Sequence, residues 1–573
     1  RVPGQGRRRP PQLLTGTELQ KEEVGCLTSL LAGLRRCFKV APTTAKCRRA
    51  TPLGSATPIV DSMRQSLFAR SGRPFIVPEG ALDLAHIRMH QDPKRSVDKA
   101  YVPIRRIGKG SYGTVHEVES VATGRRRALK LIEKTAAGLK DAENEIEILV
   151  RLNHPNVVKL CEFFEQRRCL YIVTELCDGG DFSTLLQERC PAEEVRVLFR
   201  DVLTGIAYCH SRGVAHRDIK LANCLLAMGA TRRVGKVIDF GLAAIRREQR
   251  EEYWLQGRCG SWLFMAPEVI AGSKYGTACD IWSLGVMLYM LLTREHPFSN
   301  NPDSCPMKEL VQDIMSAKMR AEPLDVATGG DVGPADLLGR MLERDPDERI
   351  GTHLALQHWW LNDSEALARE MDFQAQERER KLLGRLASFA DLSLFDRAML
   401  TVTAQLATDA EAEASRAAFL ALDQRRAGAL LRSDLEAGFR ACGLLVTPAE
   451  LQRIFEALDV DRNQSVDWIE WLSATLPADV VQSAASRREL FNFLDRDGDA
   501  KVSKRELSSI AGCEEVERIC EEGLLDYDGD DADLDFESFS RLVSSRADRV
   551  AWAPVVQRRI SVTTPLFASA AAS

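Results

Sequence analysis

The stretch His216-Arg217-Asp218-Ile219-Lys220-Leu221-Ala222-Asn223 decides how the rest of this chain reads. Asp218 can accept a proton from a hydroxyl nucleophile, and Lys220 can neutralise a transferring phosphate. Asn223, five residues after Asp218, can hold a metal ion. With four informative positions, the octapeptide alone is moderately specific. Its weight comes from the partners that flank it in order.

Upstream, Ile107-Gly108-Lys109-Gly110-Ser111-Tyr112-Gly113-Thr114-Val115 is a glycine-rich turn between two strand-like runs. Glycines let backbone N–H groups close over phosphates without a Cβ clash. A strand, not a helix, follows, which argues for a phosphate-covering hairpin and against a dinucleotide-binding fold. Ala128-Leu129-Lys130 then places a lysine in an apolar strand, where it needs a counter-charge. Glu145, on the amphipathic stretch Glu143–Leu152, is available. Leu170–Leu176 is a continuous apolar strand ending in the linker-like Cys177-Asp178-Gly179-Gly180-Asp181. Downstream, Val237-Ile238-Asp239-Phe240-Gly241 puts a second metal-binding carboxylate 21 residues after Asp218. Met265-Ala266-Pro267-Glu268, Asp280-Ile281-Trp282-Ser283-Leu284-Gly285 and Arg349 follow, with Arg349 the expected ion-pair partner of Glu268.

Length and composition set the frame. The 573 residues suit roughly three to four domains. The net charge of −5 hides an asymmetry: residues 1–50 carry a net of +8, and residues 402–545 a net of −15. An acidic final third suits cation binding. The 15 cysteines are scattered with no Cys-x-x-Cys pair, which argues against a zinc site or a secreted disulfide framework and for a reducing, cytoplasmic setting. The longest apolar run, Leu284–Leu292, is about half of what a bilayer needs. The chain does not begin with Met, so membrane attachment through an N-terminal signal cannot be read. Residues 1–100 are rich in Arg, Pro, Gly, Ser and Thr and read as a disordered basic extension.

Residues 101–361 resemble a eukaryotic protein kinase, with GxGxxGxV, the strand Lys, the helix Glu, HRDxKxxN, DFG, APE, DxWSxG and the late Arg all in order. The resemblance implies a two-lobed α+β fold with ATP in the cleft. Lys130, held by Glu145, would clamp the α- and β-phosphates. Asn223 and Asp239 would hold Mg²⁺, and Asp218 would take the substrate proton beside Lys220. Glu175–Cys177 would meet adenine through the backbone, with Thr174 guarding the back of the pocket. Lys220 and Cys259-Gly260-Ser261 point to the Ser/Thr class. Leu221-Ala222 replaces the usual Pro-Glu; Asp181 could still meet a basic residue of the target, so a basophilic preference is weakened but retained. The loop 246–258 has no Ser or Thr, and Gly257 stands where relatives carry an activating phosphosite, so activation by phosphorylation there is not expected.

Self-comparison finds a second pattern. Asp423, Asp459 and Asp495 lie 36 residues apart, and Asp526 follows after 31. This is EF-hand spacing, in which calcium takes oxygens from loop positions 1, 3, 5, 7 and 9 and a bidentate acid at 12. Hand two supplies Asp459, Asp461, Asn463, Ser465 by its carbonyl, Asp467 and Glu470, with Gln464 where Gly is usual. Hand three supplies Asp495, Asp497, Asp499, Lys501 by its carbonyl, Ser503 and Glu506, with Ala500 at the Gly position. Hand one keeps Asp423 and Asp434 but has Arg425 and Ala427 at positions 3 and 5, so it reads as structural. Hand four begins with Asp526, Asp528 and Asp530 and has Glu537 at position 12, but Asp533 stands where an apolar residue belongs and Leu534 is displaced by one; it reads as a weak site.

Residues 362–408 join the two parts, with Leu382, Leu386, Phe389 and Phe395 as apolar anchors and Arg385-Leu386-Ala387-Ser388 resembling a basophilic substrate. Kinase, junction, then four hands over 409–545 is the layout of the calcium-dependent protein kinases of plants and protists. That family implies a monomer inhibited by its junction until calcium-loaded hands capture the junction helix. The implied partners are protein Ser/Thr substrates, ATP, Mg²⁺ and Ca²⁺, with no nucleic acid. A calcium-sensing scaffold and a calcium-independent kinase are the alternatives; intact Lys130, Asp218 and Asp239 speak against the first, hands two and three against the second. Residues 546–573 read as a disordered tail, where Arg558-Arg559-Ile560-Ser561 resembles a phosphosite, as does Arg48-Arg49-Ala50-Thr51.

Overall fold

The computed structural model describes residues 96–109, 113–166, 168–245, 255, 259–299, 306–362, 373–495, 499–511, 516–518, 533–550 and 561–562. Gly110, Ser111 and Tyr112 of the glycine turn, most of the loop 246–258, Asp497, the start of hand four at Asp526, Asp528 and Asp530, and the site around Thr51 lie outside them.

Five strands form an antiparallel sheet: β1 (Tyr101–Lys109), β2 (Gly113–Ser120), β3 (Arg126–Glu133), β4 (Leu160–Glu165) and β5 (Cys169–Glu175), in the order β1-β2-β3-β5-β4. The third glycine of the turn is required by close approach, since a Cβ on Gly113 would stand 1.7 Å from the Leu131 carbonyl oxygen. Helix α1 (Ala136–Arg151) is started by the Thr135 hydroxyl, which accepts the Gly138 N–H at 3.2 Å. Its buried side includes Ile146 and Leu149.

A helical lobe follows, built on α2 (Ala192–Ser211) and α3 (Ala278–Thr293), with the hairpin β6 (Cys224–Met228) and β7 (Arg233–Val237) at its upper edge. Helix α3 is apolar on nearly every side and buried throughout most of its length, as such a pattern demands. Arg349 and Glu268 form a buried bidentate pair at 2.8 and 3.0 Å, as the sequence suggests. Such a pair is costly to break because either partner alone is a buried charge.

The C-terminal part is helical. The junction forms α4 (Phe373–Ala390) and α5 (Leu394–Leu406). The hands contribute α6 (Asp409–Leu422), α7 (Arg432–Ala441), α8 (Pro448–Leu458), α9 (Trp468–Thr475), α10 (Ala484–Leu494), α11 (Lys504–Ala511) and α12 (Phe536–Val550). Two-residue strands tie hand one to hand two, β8 (Ala429–Leu430) with β9 (Val466–Asp467), and hand three to hand four, β10 (Val502–Ser503) with β11 (Asp533–Leu534). The fold is therefore α+β followed by all-α. No helix of the described residues is long and apolar enough to cross a membrane.

Both junction helices pack on the hands, α4 through its residues from Leu382 onward. Leu382, Leu386 and Phe389 of α4 share a core with Phe419, Ile454 and Trp471. Phe395, Met399 and Val402 of α5 share another with Leu490, Leu507 and Phe539. Arg385, of the substrate-like stretch, donates to the Thr475 carbonyl at 3.1 Å. The hands in turn meet the lobes. Arg125 and Arg127 pair with Glu489 of α10, Arg125 also with Glu411 of α6, and Thr231 with Glu413.

Candidate functional site

The reacting groups converge where the two lobes meet. Lys130, on β3, places its ammonium 2.6 Å from Glu145 of α1 and 2.9 Å from Asp239. Burial pulls the Lys130 pKa down, but the facing Asp239 and Glu145 carboxylates more than reverse this, and the ammonium stays charged. Lys130 in turn holds the Asp239 carboxyl below its usual range, against the opposing effect of burial. Asp239 sits in the left-handed region at φ 66°, a conformation that costs a non-glycine residue about 1 kcal/mol and turns its carboxylate into the cleft.

Asp218 is held on several sides. Lys220 Nζ lies 2.5 Å from its Oδ2, and the Asn223 amide nitrogen donates to the same oxygen at 3.0 Å and to the Asp218 carbonyl at 2.8 Å. Ser261 donates its backbone N–H and its hydroxyl to Oδ1 at 3.0 and 3.1 Å. With its amide nitrogen so committed, Asn223 leaves its amide oxygen as the atom for a cation. Together with the Asp239 carboxylate, this is an all-oxygen donor set of the kind magnesium takes. The loop is shaped from below: Asp280 accepts the backbone N–H groups of His216 and Arg217 at 2.9 and 2.8 Å.

The calcium-type loops share one scaffold. In hand two, Asp459 accepts from Asn463 and Gln464 N–H groups, both at 2.9 Å. In hand one, Asp423 accepts from Ala427 and Gly428 at 3.0 and 2.7 Å. In hand three, Asp495 accepts from Asp499 and Ala500 at 3.2 and 3.0 Å. Gln464 and Ala500 take φ of 67° and 68°, where glycine is the easier residue. Carboxylate oxygens of Asp459, Asp461 and Glu470 lie within 4.8 Å of one another, a spacing that fits oxygens around one calcium ion. Their mutual repulsion fits the same purpose. Burial first, then Asp467 and Asp459, push Asp461 up to about 6. Burial, then Asp467 and Asp461, raise Glu470 well above the carboxylate range.

Residues 101–361 match the family described as the protein kinase domain. Calcium-dependent protein kinase 31 of Arabidopsis thaliana is 29% identical over 432 residues, covering 73% of this chain and 85% of that protein. Calcium-dependent protein kinase 5 of Plasmodium falciparum is 29% identical over 454 residues, 77% of each chain. Calcium-dependent protein kinase 21 of Arabidopsis thaliana is 26% identical over 519 residues, 88% of this chain and 92% of that protein. Over most of its length the chain is similar to calcium-dependent protein kinases of plants and of Plasmodium. Residues 101–361 are a protein kinase domain.

In this kinase two contacts at the cleft escaped the motif reading. Asn144 of α1 donates to the carbonyls of Phe240, Gly241 and Ala243 at 3.2, 3.2 and 2.8 Å, tying the helix that carries Glu145 to the loop that carries Asp239. It stands beside Glu145 in a polar run, and nothing local marks it. Ser261 reads from sequence as a class marker; the structure puts its hydroxyl 3.2 Å from Lys220 as well as on Asp218. Asp181 accepts from the Ser183 N–H at 2.9 Å, just ahead of a short helix.

The hands differ where their sequences do. In hand one, Arg425 pairs with Asp434 at 2.8 Å across the loop. In hand three, Glu506 accepts from the Ser503 N–H at 2.8 Å, as Glu470 accepts from Asp467 in hand two. In hand four, Leu534 stands opposite Val502, the place Val466 takes opposite Leu430. Counted from Leu534, Ser538 rather than Glu537 occupies the position of Glu470. Glu537 is exposed, and Asp535 accepts the Ser538 N–H at 2.8 Å. Ser561 of the tail pairs in a two-residue ladder with Leu445.

Proposed function

We propose that this kinase transfers the γ-phosphate of ATP to protein Ser/Thr hydroxyls under calcium control. The observation that carries the reading is that the hands hold both Leu382–Phe389 of α4 and Phe395–Val402 of α5 while they pair with the lobes through Arg125 and Arg127. Lys130, braced by Glu145, would hold the α- and β-phosphates. Gly108, Gly110 and Gly113 would let the loop from Ile107 to Val115, with Lys109, Ser111, Tyr112 and Thr114, close over them and exclude water. The backbone of Glu175–Cys177 would receive adenine. Asp218 would align the substrate hydroxyl and take its proton, with Lys220 balancing charge on the transferring group. Asp239 and Asn223 would hold Mg²⁺, which supplies neutralisation of phosphate charge. Asp181 would meet a basic residue of the substrate.

Calcium would be held by Asp459, Asp461, Asn463, Ser465, Asp467 and Glu470 in hand two, and by Asp495, Asp497, Asp499, Lys501, Ser503 and Glu506 in hand three. Its charge would relieve the crowding of acids described above. In that state the hands keep α4 and α5; with the loops empty, the junction 362–408 is released to inhibit the lobes. The test is phosphate transfer to a generic Ser/Thr peptide in excess calcium and in chelator. Transfer confined to calcium supports the reading. Equal transfer in both overturns the calcium control, and none in either overturns the assigned catalysis.

A further inference from the structure

One cluster between hands and lobes is not used by the proposed catalysis. Lys236 of β7 places its ammonium 2.9 Å from Glu175 Oε1 and 2.9 Å from Oδ1 of Asp409, the first residue of α6. The side chains of Lys236, Glu175 and Asp409 are 4, 8 and 14% exposed. Glu175 also accepts the Lys159 N–H at 2.7 Å, while the Lys159 ammonium reaches the Ala407 carbonyl just ahead of α6. Two carboxylates and two ammonium groups therefore meet out of water, and loss of one leaves the others poorly compensated. Burial disfavours the charged form of Lys236, but the carboxylates of Asp409 and Glu175 overcome it.

Glu175 ends β5, and its backbone leads directly into the connection between the lobes. A lysine shared between two carboxylates is confined to one arrangement. With one carboxylate gone it can reorient, and Glu175 loses a fixed partner. We propose that Asp409 is a positioning residue for the nucleotide: by holding Lys236 against Glu175, it fixes the 175–177 backbone, so that the calcium-binding module forms part of the ATP site. This rests on the adenine-binding role proposed above for that backbone.

The test uses the full chain in saturating calcium and saturating peptide, with ATP varied. Asp409→Asn is expected to raise the KM for ATP about five-fold while kcat changes little, the lower range of coupling between sites. Asp409→Glu keeps the charge and is expected to recover part of the shift. Glu413→Gln removes a contact of the same interface, with Thr231, that does not reach Glu175; it is expected to leave the KM for ATP unchanged. Adding Asp409→Asn to Lys236→Met is expected to add little, because both act through one chain of contacts. An unchanged KM in Asp409→Asn overturns the proposal, as does an equal rise in Glu413→Gln, which would mean general loosening. ATP titration onto the full chain reads the same shift without turnover. A shift that survives in an enzyme indifferent to calcium would overturn the regulatory reading and leave this one standing.

Discussion

Hands one and two are built on the same frame and hold their acids in opposite ways. Both open on an aspartate clamped by two loop N–H groups, both contribute to the β8–β9 ladder, and both close on an acid that begins a helix. In hand two the acids crowd: carboxylate oxygens of Asp459, Asp461 and Glu470 lie within 4.8 Å of one another, and burial with the neighbouring carboxylates pushes Asp461 and Glu470 up. In hand one Arg425 occupies position 3 and pairs with Asp434 at 2.8 Å. The guanidinium supplies, from within the chain, the charge that the proposed calcium ion would bring to hand two. One residue thus sets opposite charge arrangements on the same loop geometry.

The largest effect is expected at Glu470. Glu470→Gln replaces the buried acid that would be the bidentate ligand of hand two. Its calcium affinity is expected to fall by about 100-fold or more, since even outer partners of a metal site cost up to about that much. A calcium-binding isotherm on the full chain measures it. If Glu470→Gln with Glu506→Gln leaves the calcium response of phosphate transfer unchanged, hands two and three do not regulate. A smaller effect comes from Gln464→Gly. The left-handed backbone at 67° costs a side chain about 1 kcal/mol, so calcium should bind hand two several-fold tighter, read on the same isotherm. Smallest is Arg425→Ala. The arginine is half exposed, so its pair with Asp434 contributes less than about 1 kcal/mol. The melting temperature should drop by a few degrees at most, with the calcium isotherm unmoved. A new calcium requirement for stability would instead show Arg425 to be a full replacement for the ion.

The cleft was legible because its parts are fixed by spacing. Asp218, Lys220 and Asn223 lie within one turn-sized stretch, so local geometry brings them together. The Lys130–Glu145 pair was legible for a different reason: a charge in an apolar strand needs a partner, and Glu145 was on offer. Asn144 was not legible, because its role is to meet three carbonyls of a distant loop, and an asparagine in a polar run carries no mark of that. Hand four shows the limit of counting. Numbered from Asp526, Glu537 falls on position 12. The Val502–Leu534 pairing counts from the ladder instead and puts Ser538 there.

The sequence by itself determined the order of the cleft groups and the 36-residue repeat of the loop aspartates, since each is written in short, regular spacings. The tertiary structure alone decided what the junction packs on and how the hands meet the lobes. Asp409 joins Lys236 and Glu175, and Arg127 joins Glu489, across long separations in the chain. A surface-type charge acquires such a partner only when two folded surfaces exclude water between them, and neither surface exists until each part has folded.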